Sequence, residues 1–315
     1  MNILIQIVLL IVGFIMLVKG ADWFVDGAAG IAAKLGIPQL IIGLTIVAMG
    51  TSAPEAAISI SSSLKGSADI AVGNVLGSNI MNVLLILGIT AIISSLSIQK
   101  STVRYEIPFV IVITVILMGL GLFDNSLTVI DGIVLWALFI TYLIYLFVMA
   151  KNGNEDALEE VDINENDTIL KLIAMTIIGA VVIVIGSNIT VDAATNIAKV
   201  LGMSERLIGL TIVAFGTSLP ELVTCIVAAS KNKADIAIGN IIGSNIFNIL
   251  FVLGTSAFIT PVAYQSVFTV DSIICIVAVL ILFTLVLNKD RRLKRLGGII
   301  MLLAYVCYFV YLLKM

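Results

Sequence analysis

The chain has 315 residues, 60% of them hydrophobic and 12% charged, against roughly 45–50% and about 25% in soluble globular proteins. With a mean hydropathy of +1.20, a soluble enzyme, a nucleic-acid binder and a secreted disulfide scaffold are excluded. The net charge of −3 carries little weight, because seven of the twenty acids crowd into Glu155–Asp167, and the chain has no histidine to act as proton relay or nitrogen ligand.

Measured at about 20 residues per membrane crossing, ten apolar segments are predicted in chain order. They lie near 2–19, 39–64, 69–97, 105–123, 126–149, 169–187, 205–230, 235–258, 266–287 and 296–313. Residues 2–19 lack a basic flank and a small-residue cleavage site, so they read as a span and not as a signal peptide. The second and seventh segments are each interrupted by Thr-Ser-x-Pro-Glu, and residues 151–168 form the one extended polar stretch, an acidic linker. Thirteen basic residues, from Lys19 to Arg295, fall in loops on the linker's side, against Lys65, Lys199, Arg206 and Lys314 on the other. The excess predicts a cytoplasmic linker and both termini outside. Asp22, Asp26 and Asp192, at apparent span ends, are expected to be caps or solvated groups. Asp131 and Asp271 fall inside spans and have no role legible at this level. Cys225, Cys275 and Cys307 lie in apolar runs and read as small core hydrophobes.

An internal repeat organises these segments. Residues 43–88 align with 209–254 at a constant offset of 166, without a gap. GLTIVAMGTSAPE matches GLTIVAFGTSLPE at 11 of 13 positions, and ADIAVGNVLGSNIMNVLLILG matches ADIAIGNIIGSNIFNILFVLG at 14 of 21. The twelve residues between these blocks agree at two positions, so the likeness is concentrated in polar clusters and is not a general apolar resemblance. Equivalent points are five spans apart, and an odd number inserts the halves with opposite polarity. The predicted fold is an all-α polytopic membrane protein. Its ten transmembrane helices form two inverted-topology five-helix repeats, 1–150 and 169–315, with helices 2 and 7 interrupted. Inverted repeats with matching broken helices are the mark of an alternating-access transporter.

The chemistry sits in the interruptions. Pro54 and Pro220 lack the N–H that continues a helix, and the break is expected to free carbonyls, including those of Ala48 and Ala214, which at this depth must face a polar cavity. Thr51, Ser52, Thr217 and Ser218 add hydroxyls, and Glu55 and Glu221 add carboxylates. One helix later, Ser78 and Asn82, and likewise Ser244 and Asn248, stand four apart on one helix face. Gly73, Gly77, Gly239 and Gly243 have GxxxG spacing, which suits close helix packing. A carboxylate at mid-membrane costs on the order of 2.5–3.5 kcal/mol, and no Lys, Arg or His lies in any span at that depth. A bound cation is the partner this arrangement calls for. Two carboxylates among hydroxyl, amide and carbonyl oxygens form a hard, oxygen-only donor set, suited to Na⁺ and Ca²⁺.

The paired GTSxPE and GSNIxN motifs resemble the α-repeats of the cation/Ca²⁺ antiporter superfamily, most closely its prokaryotic Na⁺/Ca²⁺ exchanger branch. The resemblance covers all ten spans. It implies ion ligation by Ala48, Thr51, Ser52, Glu55, Ser78 and Asn82, and by Ala214, Thr217, Ser218, Glu221, Ser244 and Asn248. It further implies Na⁺ sites around one Ca²⁺ site with the glutamates shared, and typically about three Na⁺ exchanged per Ca²⁺. Some members, including the K⁺-dependent branch, carry Asp where Asn248 stands, which argues against K⁺ co-transport here. The expected partners are Na⁺, Ca²⁺ and the bilayer of the cell membrane, with no cofactor, nucleic acid or obligate protein partner. The competing readings are a Ca²⁺/H⁺ antiporter, with the glutamates as proton carriers, and a cation channel.

Overall fold

The computed structural model describes residues 3–65, 69–151, 167–202 and 214–314. With no water in a bilayer core, a spanning segment must satisfy its own backbone, and helices dominate accordingly. They are α1 (Ile3–Leu35), α2 (Gln39–Thr51), α3 (Ala53–Leu64), α4 (Ile70–Ile93), α5 (Thr102–Asp124), α6 (Val129–Lys151), α7 (Ile169–Val200), α8 (Ala214–Thr217), α9 (Leu219–Ser230), α10 (Ala234–Ile259), α11 (Ser266–Val286) and α12 (Arg295–Lys314). Among the described residues eight helices are long and apolar enough to cross a membrane, and α2 with α3, bent by 51°, adds a ninth. Of the remaining predicted span, 205–230, the part from Ala214 onward is described, as α8 and α9.

Three expectations need correction. Spans 2–19 and 169–187 are far too short: α1 runs for 33 residues and α7 for 32. At about 1.5 Å rise per residue each approaches ~50 Å, well beyond the ~30 Å hydrocarbon core. The 20-residue ruler measures the bilayer, whereas helix length is set by continuing helix-forming residues, here Ala28 to Ala33. Asp22, Asp26 and Asp192 therefore lie within helices and are not terminal caps. Asp22 and Asp26 pair with Lys231 at 2.5 and 2.7 Å, and Asp26 also pairs with Lys233 at 2.8 Å. Asp131 is the cap: its Oδ2 accepts the Thr128 N–H (2.7 Å) and hydroxyl (2.8 Å) at the first turn of α6. Asp271 is buried in α11 and accepts the Tyr308 hydroxyl of α12 at 3.4 Å. Cys225 and Cys275 are buried as expected, but Cys307 is exposed on α12.

α1 and α7 lie antiparallel in an outer layer, most of their apolar surface left for lipid. Their contact follows glycines: a Cβ on Gly20 would stand 2.9 Å from Ile183 N, and one on Gly27 2.5 Å from Thr176 Oγ1. The inner layer is α4 and α10 with the broken pairs α2/α3 and α8/α9. α10 is enclosed almost throughout, although it carries Asp235, Asn240, Ser244, Asn245 and Asn248. Of the four GxxxG glycines, Gly239 and Gly243 serve packing, since Cβ atoms there would meet Leu40 O (2.8 Å) and Leu44 O (2.6 Å). A Cβ on Gly77 would meet nothing within 4 Å, and one on Gly73 only Phe268 at 3.5 Å.

The halves are sewn together by strands too short to betray themselves by alternation. β1 (Leu96–Ser97) pairs antiparallel with β4 (Arg292–Leu293), and β2 (Ser126–Leu127) with β3 (Val262–Ala263), in register Leu96↔Leu293 and Leu127↔Val262. The same offset of 166 relates β1 to β3 and β2 to β4, so each ribbon joins one strand from each half. It also relates the left-handed residues Gly36 and Gly202, and Asn125 and Arg291.

Candidate ion-binding site

The breaks fall where the prolines predict. The chain leaves helical geometry at Ser52 (φ −81°, ψ 8°) and Ser218 (φ −93°, ψ 7°), and each proline then sits in the first turn of the next helix, where its missing N–H costs least. The Ala48 carbonyl is not freed as expected, because the Ser52 N–H donates to it at 3.0 Å. In the second half the Ser218 N–H turns to Phe215 O instead, at 3.2 Å. Ala214 O thereby loses its i+4 donor, as do the carbonyls of Gly50 and Gly216, four residues before the prolines. Gly216 O receives the Ser187 hydroxyl at 2.9 Å.

Glu55 and Glu221 are both fully enclosed, each in the first turn after a break. The Ser52 hydroxyl donates to Glu221 Oε1 at 2.8 Å, and Ser218 to Glu55 Oε1 at 3.2 Å. Each carboxylate is thus held by the serine of the other half. The Thr51 hydroxyl lies 2.9 Å from Asn240 Oδ1, and Ser244 Oγ lies 3.4 Å from Ala48 O. Ser78 is buried one turn before Asn82 on α4, and Thr217 lines a cavity beside Pro54. Ala214 opens α8.

A π-helical turn begins at each motif asparagine, over Asn82–Ile86 and Asn248–Leu253, and such bulges recur at functional sites. Asn82 Nδ2 donates to Asn245 Oδ1 and Asn248 Nδ2 to Asn79 Oδ1, both at 3.1 Å. Four enclosed oxygens in symmetry-related pairs are then left without a hydrogen-bond partner: Glu55 Oε2, Glu221 Oε2, Asn82 Oδ1 and Asn248 Oδ1. Buried polar atoms ordinarily find partners, and all four are acceptors. Among the described residues no three His, Cys, Asp or Glu side chains gather as a resident metal site; the donor set is two acids and neutral oxygens.

Sequence reasoning missed Asn74, Asn79, Asn240 and Asn245. Asn74 Nδ2 reaches Ser59 Oγ (2.9 Å) and Glu55 O (3.2 Å), and its counterpart Asn240 reaches Cys225 Sγ at 3.4 Å. Their signal was present, since all four are identical at the offset of 166. Asn74 and Asn240 extend the face of Ser78/Asn82 and Ser244/Asn248 by one turn, whereas Asn79 and Asn245 lie on another face of the same helices.

The sodium/calcium exchanger protein family matches residues 5–148 and again 171–314. The chain belongs to that family. The chain is 40% identical to a putative antiporter, CaxA, of Alkalimonas amylolytica, over 97% of its length and 98% of the relative. It is 32% identical to the sodium/calcium exchanger MaX1 of Methanosarcina acetivorans, over 98% of both. The sodium-calcium exchanger NCX_Mj, in a structure soaked with zero Na⁺ and Ca²⁺, superposes with a TM-score of 0.85 at 32% identity, over 99% of this chain and 100% of that one.

This family member approaches its buried centre unequally from its two ends. Beside the C-terminal half of α7, an open cavity of about 640 Å³ runs between α3, α7 and α8, lined by Pro54, Ser187, Asn188, Asp192, Gly216 and Thr217 among others. Where α1 finishes, the offset counterparts Asp22 and Asp26 are tied to Lys231 and Lys233 at the foot of α9. Burial pulls the Lys231 ammonium towards neutrality, but hydrogen bonds to Asp22 and Asp26 outweigh it and hold its pKa above the ordinary lysine value.

Proposed function

We propose that this chain is a secondary transporter that exchanges Na⁺ for Ca²⁺ across the cell membrane by alternating access. One observation carries the reading: four partnerless acceptor oxygens, two carboxylate and two amide, are enclosed in symmetric pairs within the membrane region. Two carboxylates supply −2, which one Ca²⁺ neutralises. Glu55, Glu221, Thr51, Thr217, Ser52, Ser218, Ser78, Ser244, Asn82 and Asn248, with the carbonyls of Ala48 and Ala214, form the ligand set. Ala48 O accepts the Ser52 N–H and is approached by the Thr51 and Ser244 hydroxyls at 3.3 and 3.4 Å, so it can serve once those rotatable hydroxyls turn away from it. Ser52 and Ser218 spend their single hydrogen on a glutamate and retain oxygen lone pairs for Na⁺. Family resemblance supports about three Na⁺ per Ca²⁺, hence net charge movement, and the excess of basic residues supports a cytoplasmic linker.

The test is Ca²⁺ flux into proteoliposomes under an imposed Na⁺, K⁺ or pH gradient, one at a time. Uptake driven by Na⁺ alone is expected, undiminished when K⁺ is replaced by an impermeant organic cation, because Asn248 offers an amide where an acid would hold an extra cation. Uptake driven by the pH gradient alone would instead establish a Ca²⁺/H⁺ antiporter using the same carboxylates.

A further inference from the structure

Asn79 and Asn245 belong to neither the predicted ligand set nor the apolar core, yet both are wholly buried and identical in the two halves. Asn79 Nδ2 donates to the backbone carbonyl of Asn245 at 3.1 Å, and Asn245 Nδ2 donates to that of Asn79 at 3.3 Å. A backbone carbonyl can only accept, so these two bonds fix which end of each amide is nitrogen. The oxygens of Asn79 and Asn245 then point the other way, and each accepts from the next-but-two asparagine of the opposite half, Asn248 and Asn82 respectively. An oxygen can draw only a donor, so Asn82 and Asn248 must present their NH₂ groups to it. Their own carbonyl oxygens are left over, enclosed and without a donor.

We propose that Asn79 and Asn245 are positioning residues of the ion site, whose crossed hydrogen bonds force Asn248 and Asn82 to turn their amide oxygens, and not their NH₂ groups, towards the cation. An amide is the one ligand type in this site with a wrong way round. Carboxylates present oxygen on either side and a hydroxyl rotates freely, but an Asn turned by 180° sets two N–H donors against a cation. The site's neutral amides therefore work only while something outside them fixes their orientation. The crossing has a second effect: each amide ligand is set by the other half, so Asn248 depends on Asn79 and Asn82 on Asn245. This rests on the exchanger reading for the identity of the ion, and on the geometry for everything else.

The pairing predicts its own double-mutant cycle. In proteoliposomes loaded with Na⁺, the half-saturating Ca²⁺ concentration is measured for wild type, Asn79→Leu, Asn248→Asp, Asn82→Asp and the two doubles containing Asn79→Leu. Asn79→Leu should raise that concentration about tenfold, in line with losing one interaction to a charge. An Asp at 248 has no wrong face, so adding Asn79→Leu to Asn248→Asp should change the value less than about twofold, whereas adding it to Asn82→Asp should keep the full penalty. A purely structural role for Asn79 would weaken both backgrounds alike, and that result, or no effect of Asn79→Leu by itself, would overturn the proposal. Should Asn79→Leu fail to purify as a monodisperse protein, Asn79→Ala removes the same acceptor and carries the same cycle. If wild type moves no Ca²⁺ against Na⁺, the exchanger reading fails. The clamp is then judged by equilibrium binding of radioactive Ca²⁺ to the same variants in detergent, with the same criteria.

Discussion

The two halves of this protein agree at its centre and disagree at its ends. Around the glutamates, Ser52 reaches Glu221 and Ser218 reaches Glu55, and Asn79 and Asn245 exchange the same bonds in both directions. Nearly three helix turns further along from Glu221, at Lys231, the likeness has stopped. Asp26 is bound to two lysines, while its counterpart Asp192 faces an open cavity; Asp22 is answered by Asn188, and Lys233 by Ser67. On the proposed reading, ion chemistry holds the two halves to one pattern, whereas the ends are free to differ. Closure of one end and opening of the other is itself a departure from symmetry.

The largest effects should come from the part that agrees. Glu55→Gln and Glu221→Gln should each abolish Na⁺-driven Ca²⁺ uptake without loss of folded protein, because each removes half the site's charge while relieving a buried carboxylate. Uptake assays beside size-exclusion profiles check this. An unequal outcome, with one variant transporting normally, would break the equivalence of the halves at the centre.

The next test sharpens the difference at the ends. Ala57 lines the open cavity and is exposed, whereas its counterpart Val223 is half-buried against the core, on the helix that leads to Lys231. With Cys307, the exposed native thiol among three, replaced, Ala57→Cys should react readily with a water-soluble maleimide and Val223→Cys slowly. Adding Asp26→Asn and Lys231→Gln should speed the reaction at Val223→Cys severalfold, the amount expected from losing partly exposed ion pairs of up to about 1 kcal/mol each. An unchanged rate would mean the ion pairs do not hold that end shut.

These comparisons also mark how far the sequence could be read. The Thr-Ser-x-Pro-Glu and Gly-Ser-Asn-Ile-x-Asn clusters were legible because polar letters recur at one offset inside apolar spans, as the proposed cation site would require. The 51° bend at Ser52 followed from Pro54 in the same way. The lengths of α1 and α7 were not legible, since hydropathy records where lipid begins and not where a helix stops. Nor were the Asp–Lys ties, which join residues about 200 positions apart, or the two-residue strands. Which end stands open could not be read at all: two near-identical motifs carry no instruction about which of them faces out.

A smaller effect is expected at the serines. Ser52→Ala and Ser218→Ala each remove a hydroxyl that steadies a carboxylate and offers lone pairs to Na⁺. Each should raise the Na⁺ concentration needed for half-maximal Ca²⁺ release about threefold to tenfold, within the roughly 1.5–3 kcal/mol ceiling for a bond to a charge. The Ca²⁺ affinity seen in Na⁺-free Ca²⁺/Ca²⁺ exchange should move less. Smallest of all should be the exchange of Glu155–Asp167 for a Gly/Ser linker of equal length, which is far in sequence from every residue of the site. Basal uptake should stay within about twofold of wild type if that stretch is only a flexible tether.

The crossed bonds bear on how such a protein can be made. The side chains that bond the Glu55 carboxylate, the Asn82 amide and the Thr51 hydroxyl, namely Ser218, Asn245 and Asn240, come from the second half. During synthesis the first five helices enter the bilayer with a carboxyl and several amides whose partners have not yet been translated. Among the described residues of that half, no side chain hydrogen-bonds the Glu55 carboxylate or the Asn82 amide, so holding them in hydrocarbon is costly. Expressed alone, residues 1–150 should therefore be short-lived, and co-expressed with residues 169–315 they should be rescued. What looks in the finished molecule like a site shared between two repeats is, for the growing chain, an appointment its first half must wait to keep.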